Sequence, residues 1–194
     1  MKDLNKKYLS DKLFPLFSNR VLAKGRPEYK KYLEWLGLSE SEHDELEELS
    51  RTGGIRATDN LEMFPCPTPS VDGRYKVNFF CRGLKHLHPE NIERSTRLNI
   101  GEQLYLMKDL QNPYDSTALL LRSDQPITLV GYAPRYFSNE FSTLTNLLGA
   151  EEIGITVDAV NPSAPLQFRV RCLLECDWPN DFSSCATDQY RLLA

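Results

Sequence analysis

The chain has 194 residues, 41% of them hydrophobic and 26% charged, with nine each of Tyr and Phe; this is enough for one core and an appendage, and it excludes a disordered chain. A formal net charge of −4 excludes coating of duplex nucleic acid through a broad basic surface, so any nucleic-acid site must be small and local. The longest apolar runs, such as Ala118–Leu121, fall far short of the ~20 residues of a membrane span, and the first residues carry no signal-peptide core, so a cytoplasmic protein without membrane contact is expected.

Charge is uneven along the chain. Residues 1–37 hold nine Lys/Arg against four Asp/Glu, whereas residues 38–50 hold six acids and no Lys or Arg. Solvated helix faces account for both runs. From Pro27, Tyr29, Tyr32, Leu33 and Leu36 recur at helical spacing and Gly37 stands where the helix would stop. A second helix is expected next, opened by a capping-box pattern of Ser39 and Glu42, carrying Leu46 and Leu49 on one face, and closed by Gly53–Gly54. Residues 1–64 therefore read as a helical segment.

Three prolines between Pro65 and Gly73 mark a linker, taken as residues 65–75. Beyond it the period becomes two: Tyr75, Val77, Phe79 and Cys81 alternate with Lys76, Asn78, Phe80 and Arg82, which leaves Phe80 as one aromatic on the polar face. Further strands are expected in the runs QLYLMKD (103–109), TALLLRS (117–123), ITLVGYA (127–133), IGITVDAV (153–160) and LQFRVRCLLEC (166–176), with a helix from about Ser138 to Leu148 ended by Gly149. In the last run Phe168, Val170, Cys172, Leu174 and Cys176 share a face. Several short strands around one helix predict an α+β chain, with a small, strongly bent sheet or barrel over residues 76–176 and a C-terminal tail over 177–194.

Between two of these strands stands the corner Asn112-Pro113-Tyr114-Asp115. Asn before Pro favours an extended backbone, and Pro with Asp supplies the restricted φ and local acceptor of a tight turn. Turn chemistry alone is a complete account of the corner; the lip of a site is the alternative.

The run Gly101 to Arg135, with its Gly-Glu pair, Asn-Pro-Tyr-Asp, Ala118 and Gly-Tyr-Ala-Pro-Arg, resembles the HIRAN domain, and with Phe79-Phe80-Cys81-Arg82-Gly83-Leu84 the likeness covers about residues 76–149. The resemblance is to the stand-alone bacterial type and implies an OB-like β-barrel with a flanking helix that captures the 3′ end of single-stranded DNA. It places Tyr114 and Phe80 at the positions that stack on terminal bases, Asp115 at the carboxylate that meets the terminal hydroxyl, Asn112 in the same pocket and Arg135 where a lysine meets phosphate. Aromatic faces stack on any base for about 1–3 kcal/mol each, which suits recognition without sequence preference. A carboxylate repels phosphate, so beside DNA it fits only opposite a hydroxyl donor.

Two departures stand out. Phe79–Phe80 replaces an Arg-Tyr pair, and Tyr132 replaces a His, so Arg82 must supply the missing cation. The stretch Lys85–Asn99 is long and either covers or extends the pocket. Residues 14–64 are also similar to the amino-terminal region of HipA-type toxin kinases, which implies a rival role as a protein-interaction or regulatory partner of such a kinase.

Nothing points to catalysis. Glu28-Tyr29-Lys30 lies in a helical pattern, no Ser or Cys is paired with a base by a known motif, and Gly53–Gly54 lacks the Lys-Ser/Thr of a phosphate-binding loop. His86 and His88 lack the second ligand pair of a zinc site. The five cysteines are odd in number and scattered, as reduced thiols are. A non-enzymatic chain without metal or cofactor is expected.

Overall fold

The computed structural model describes residue 3, residues 6–41 and residues 43–190, without the side chain of Gln189. Two compact units form, one from residues 1–66 and 183–194 and the other from residues 67–182.

The first unit holds α1 (Pro15–Ser18), α2 (Tyr29–Leu36) and α3 (Glu45–Thr52). The stripe foreseen on α2 is the buried one: Tyr29, Leu33 and Leu36 face inward, and Gly37 ends the helix in the left-handed region at φ 70°. The start of α3 differs from the expected capping box. Asp44 caps it, its Oδ1 accepting from the amides of Leu46 and Glu47 at 2.7 and 3.1 Å; Ser39 lies well outside the helix and Glu42 lies outside the described residues. An extended Asp places its carboxylate over the free amides of the first turn, where the helix dipole also favours it.

Leu46 is exposed, and the buried face of α3 is Glu48, Leu49 and Thr52. Glu48 can be fully buried because its oxygens are satisfied: Oε1 accepts from Leu22 N at 2.8 Å and Tyr32 Oη at 3.0 Å, and Oε2 lies 2.6 Å from His43 Nε2. Phe64 and Tyr190 meet edge to face, 5.6 Å between ring centroids, and so bring the end of the described chain back to this unit.

The second unit is a six-stranded antiparallel sheet. Its strands are β1 (Arg74–Phe80), β2 (Gln103–Lys108), β3 (Leu119–Arg122), β4 (Leu129–Tyr132), β5 (Gly154–Val160) and β6 (Val170–Asp177), in the order β1-β6-β5-β2-β3-β4. One face supplies the core: Tyr75, Val77 and Phe79 from β1, Ile155 and Val157 from β5, and Val170, Cys172, Leu174 and Cys176 from β6 are buried, as the period of two requires. Each such side chain contributes about 1.5–3 kcal/mol through burial. Phe168 is not part of that row, because residues 166–168 form a 3-10 turn and β6 starts at Val170.

The sheet is curled into an OB-like barrel. β1 and β4 are its two outer strands, yet Arg82, just beyond β1, pairs with Tyr132 of β4: each amide donates to the other's carbonyl at 2.8 Å. Helix α5 (Arg135–Leu148) packs Phe141 against Phe79 and Tyr75, with Phe137 stacked on Phe141, and Tyr75 Oη donates to Glu140 Oε1 at 2.7 Å. It begins three residues before the expected Ser138, so Arg135 sits in its first turn. The long stretch 85–99 contains a helix the sequence did not suggest, α4 (Pro89–Ser95), which braces β4: Asn91 Oδ1 accepts from Leu129 N at 3.3 Å. Among the described residues no helix is long and apolar enough to cross a membrane.

Candidate functional site

β2 runs out at Lys108, and the chain then turns sharply under the control of two acceptors. Asp109 Oδ1 accepts from Gln111 N at 3.3 Å, while Asn112 Oδ1 accepts from the amides of Tyr114 and Asp115, both at 3.0 Å. Asn112 Nδ2 donates back to Asp109 Oδ2 at 3.2 Å. With its main chain fixed from inside, the corner turns the Tyr114 ring outward, where the residue is 90% exposed.

Asp115 is divided in its duties. Oδ1 accepts from Thr117 N and Thr117 Oγ1 at 2.9 and 2.6 Å, and Oδ2 lies 3.5 Å from Arg135 Nε. Burial pushes this carboxyl up, but the two bonds from Thr117 and the charge of Arg135 outweigh it and hold the group below its ordinary value of 3.8. One oxygen is thus tied to the turn, and the other faces only a loosely held, 76% exposed guanidinium.

Tyr132 is joined to the same corner. Its Oη donates to Asp109 Oδ2 at 2.8 Å; burial, then this hydrogen bond and the Asp109 charge, push the phenol above its ordinary value of 10. On its other side the ring lies against Gly83, whose added Cβ would meet Tyr132 Cδ2 at 2.7 Å; at φ 70° only glycine sits there without strain. Beside Gly83 opens a hollow of about 390 Å³ lined by Arg82, Leu84, Lys85, Leu166 and Gln167. The Nε of Arg82 is buried and has no hydrogen-bond partner among the described residues.

Tyr132, Asp109, Asn112, Tyr114, Asp115 and Arg135 therefore form one connected constellation, to which Arg82 is joined through its pairing with Tyr132. Phe80 is the exception. It is 2% exposed and packs edge to face on Phe168, 5.4 Å between centroids, so its ring is not offered for stacking. The alternation that put it on a polar face was sound, but the 3-10 turn at residues 166–168 covers that face here.

Sequence reasoning passed over Asp109, Thr117 and Lys85. Asp109 could have been found: an acid three residues before Asn112 is in reach of a second turn acceptor. Lys85 enters only through the curl of the sheet. Among the described residues no group of three His, Cys, Asp or Glu is placed to hold a metal.

Fold and site together define an α+β chain whose OB-like barrel carries a polar and aromatic corner at its seam. Two solved structures are similar to it. A protein from Lactobacillus plantarum has 18% identity over 54% of this chain and 97% of its own, with a TM-score of 0.39. The HIRAN domain of human HLTF has 14% identity over 56% of this chain and 84% of its own, also with a TM-score of 0.39. No family model matches the chain, and no curated protein matches it. Neither structure bears on the resemblance of residues 14–64 to HipA-type kinases.

Proposed function

We propose that this protein is a nucleic-acid-binding module that receives the 3′ hydroxyl end of a single DNA strand at the seam corner. One observation carries the reading: a 90% exposed Tyr114 ring stands on a pinned turn directly before Asp115, whose Oδ2 faces the exposed Arg135 guanidinium at 3.5 Å. The ring stacks on the last base, and Asp115 Oδ2 accepts from the sugar hydroxyl beside Arg135. Arg135, and Arg82, whose Nε has no partner among the described residues, supply the cations for phosphate. Phe80 takes no part. No step in this reading is catalytic.

Fluorescence anisotropy with a 3′-hydroxyl oligonucleotide and its 3′-phosphate twin tests it. The hydroxyl form binds more tightly, and Tyr114→Ala weakens it by about 1–3 kcal/mol, the loss of one base stack. Equal affinity for the twins removes end recognition, and no affinity for either removes DNA binding.

The rival role, a regulatory or interaction partner, has one observation in its favour. Leu13, Phe14, Phe17, Leu46 and Met63 line an open groove of about 890 Å³ in the first unit. Leu46→Asp in the full chain would then abolish capture of a partner while leaving oligonucleotide binding intact.

A further inference from the structure

The barrel carries a second aromatic surface that the corner does not use. On β2, Tyr105 and Met107 are each 42% exposed although they sit in the middle of a paired strand. The guanidinium of Arg122, directly opposite on β3, lies 5.0 Å from the Tyr105 ring centroid. Arg122 is held in that place by Asp124 Oδ1 and by the carbonyl of Ser123, both at 3.2 Å from Nη1. The ring is thus fixed in direction by a cation that is already neutralised, so the surface offers a flat π-face without net charge. Such a face suits a base rather than a phosphate.

The register places this surface in line with the corner. Met107 pairs with Leu120 and Leu120 with Tyr132, so Met107, Leu120 and Tyr132 are lateral neighbours on one face of three strands; Tyr105 follows Met107 on that face two residues along. Two strand spacings and two residues of rise separate the Tyr105 and Tyr132 main chains by about 12 Å. That is the reach of a few nucleotides, well within the ~4–16 that an OB-type barrel covers.

We propose that Tyr105, backed by Arg122 and flanked by Met107, is a second stacking platform that takes a base upstream of the strand's 3′ end. The proposal rests on the single-strand reading of the corner and extends it from a point to a track. Asp124 and Arg122 set the ring, and the base adds its face to the open side.

The test uses the full chain and an eight-nucleotide 3′-hydroxyl oligothymidylate in fluorescence anisotropy. Tyr105→Ala weakens binding by about 5- to 150-fold, the loss of one stack, while Tyr105→Phe, which keeps the π-face, binds as the unaltered protein does. Photo-crosslinking with 5-iodouracil, moved one position at a time from the 3′ end, labels Tyr105 or Met107 from an internal position. If the unaltered protein binds and the Tyr105→Ala curve superimposes on it, the platform is wrong and the corner stands. Crosslinks that reach β2 only from the terminal base also overturn the platform. If the unaltered protein binds no oligonucleotide, both readings fail.

Discussion

The main chains of Arg82 and Tyr132 exchange two hydrogen bonds of 2.8 Å, and through them the first and last strands of the sheet meet. A single bridge of this kind does two things: it brings the Arg82 hollow beside the Tyr132 ring, and it holds that ring against the corner built on Asp109.

The bridge needs glycine next to it. Gly131 has φ 141°, and an added Cβ would lie 2.9 Å from the carbonyl oxygen of Arg82 and 2.9 Å from Cys81 Cβ. Gly131→Ala is therefore expected to destabilise the barrel by about 1–3 kcal/mol through backbone strain. Urea unfolding followed by circular dichroism measures it as a lower midpoint with an unchanged slope. An unaltered midpoint means the seam does not constrain this backbone.

Asp109 is expected to set the ionisation of Tyr132. In the folded protein this phenol titrates above 10; Asp109→Asn removes the charge and weakens the hydrogen bond, so the Tyr132 pKa should fall toward the ordinary value. Ultraviolet titration of tyrosinate, with Tyr132→Phe to identify the signal, measures the shift. A Tyr132 titration that Asp109→Asn leaves in place would contradict the pairing.

Asp115 should make stability fall in acid. Its folded pKa lies below 3.8, so the unfolded chain binds a proton more readily; the stabilisation is fully present above the unfolded value and is lost as pH drops through the folded one. Urea midpoints are expected to decline below about pH 4, with a smaller decline in Asp115→Asn. Parallel curves for the two proteins would show that Thr117 and Arg135 do not favour the charged form.

The first unit should depend on Glu48. Leu22 N and Tyr32 Oη donate to this fully buried carboxyl group and His43 Nε2 lies 2.6 Å from it, so Glu48→Ala strands all three, at a cost of about 3–5 kcal/mol. Hydrogen exchange is the suitable readout: amides of α2 and α3 lose protection, while β1 and β6 keep theirs. Unchanged protection in α2 would show that the node carries no stability.

The cysteines should divide by burial. Cys66 is exposed, whereas Cys81, Cys172 and Cys176 are buried; burial pushes the Cys176 thiol up to about 11, and the Cys81 hydrogen bond together with burial pushes Cys172 well up. Iodoacetamide at neutral pH is expected to label Cys66 within minutes and the three buried thiols only after unfolding, as mass spectrometry can follow. Early labelling of Cys172 would place it outside the core.

Much of this fold was legible in the sequence because its signals are local. Alternation at Tyr75, Val77 and Phe79 follows from the strand period, the stripe Tyr29–Leu33–Leu36 from the helix period, and the stops at Gly37 and Gly149 from backbone freedom that other residues lack. The corner was legible as a corner for the same reason, since Asn112 and Pro113 act on their own neighbours. What failed were judgements about coverage. Alternation puts Phe80 on a polar face, and helical spacing puts Leu46 with Leu49, but a face is open or buried according to what another segment lays over it.

The amino-acid order by itself determined the strands, three of the helices and the tight turn, because propensity and period act over a few residues. Only the tertiary structure decided that the sheet curls until Arg82 reaches Tyr132, that Asp109 joins Tyr132 to Asn112, and that Glu48 is buried beneath its donors. Apart from the short Asp109–Asn112 link, the contacts Arg82–Tyr132, Asp109–Tyr132 and Leu22–Glu48 join residues more than twenty positions apart, and their geometry is set by the twist of the strands and the packing of each core, which no short window of sequence contains.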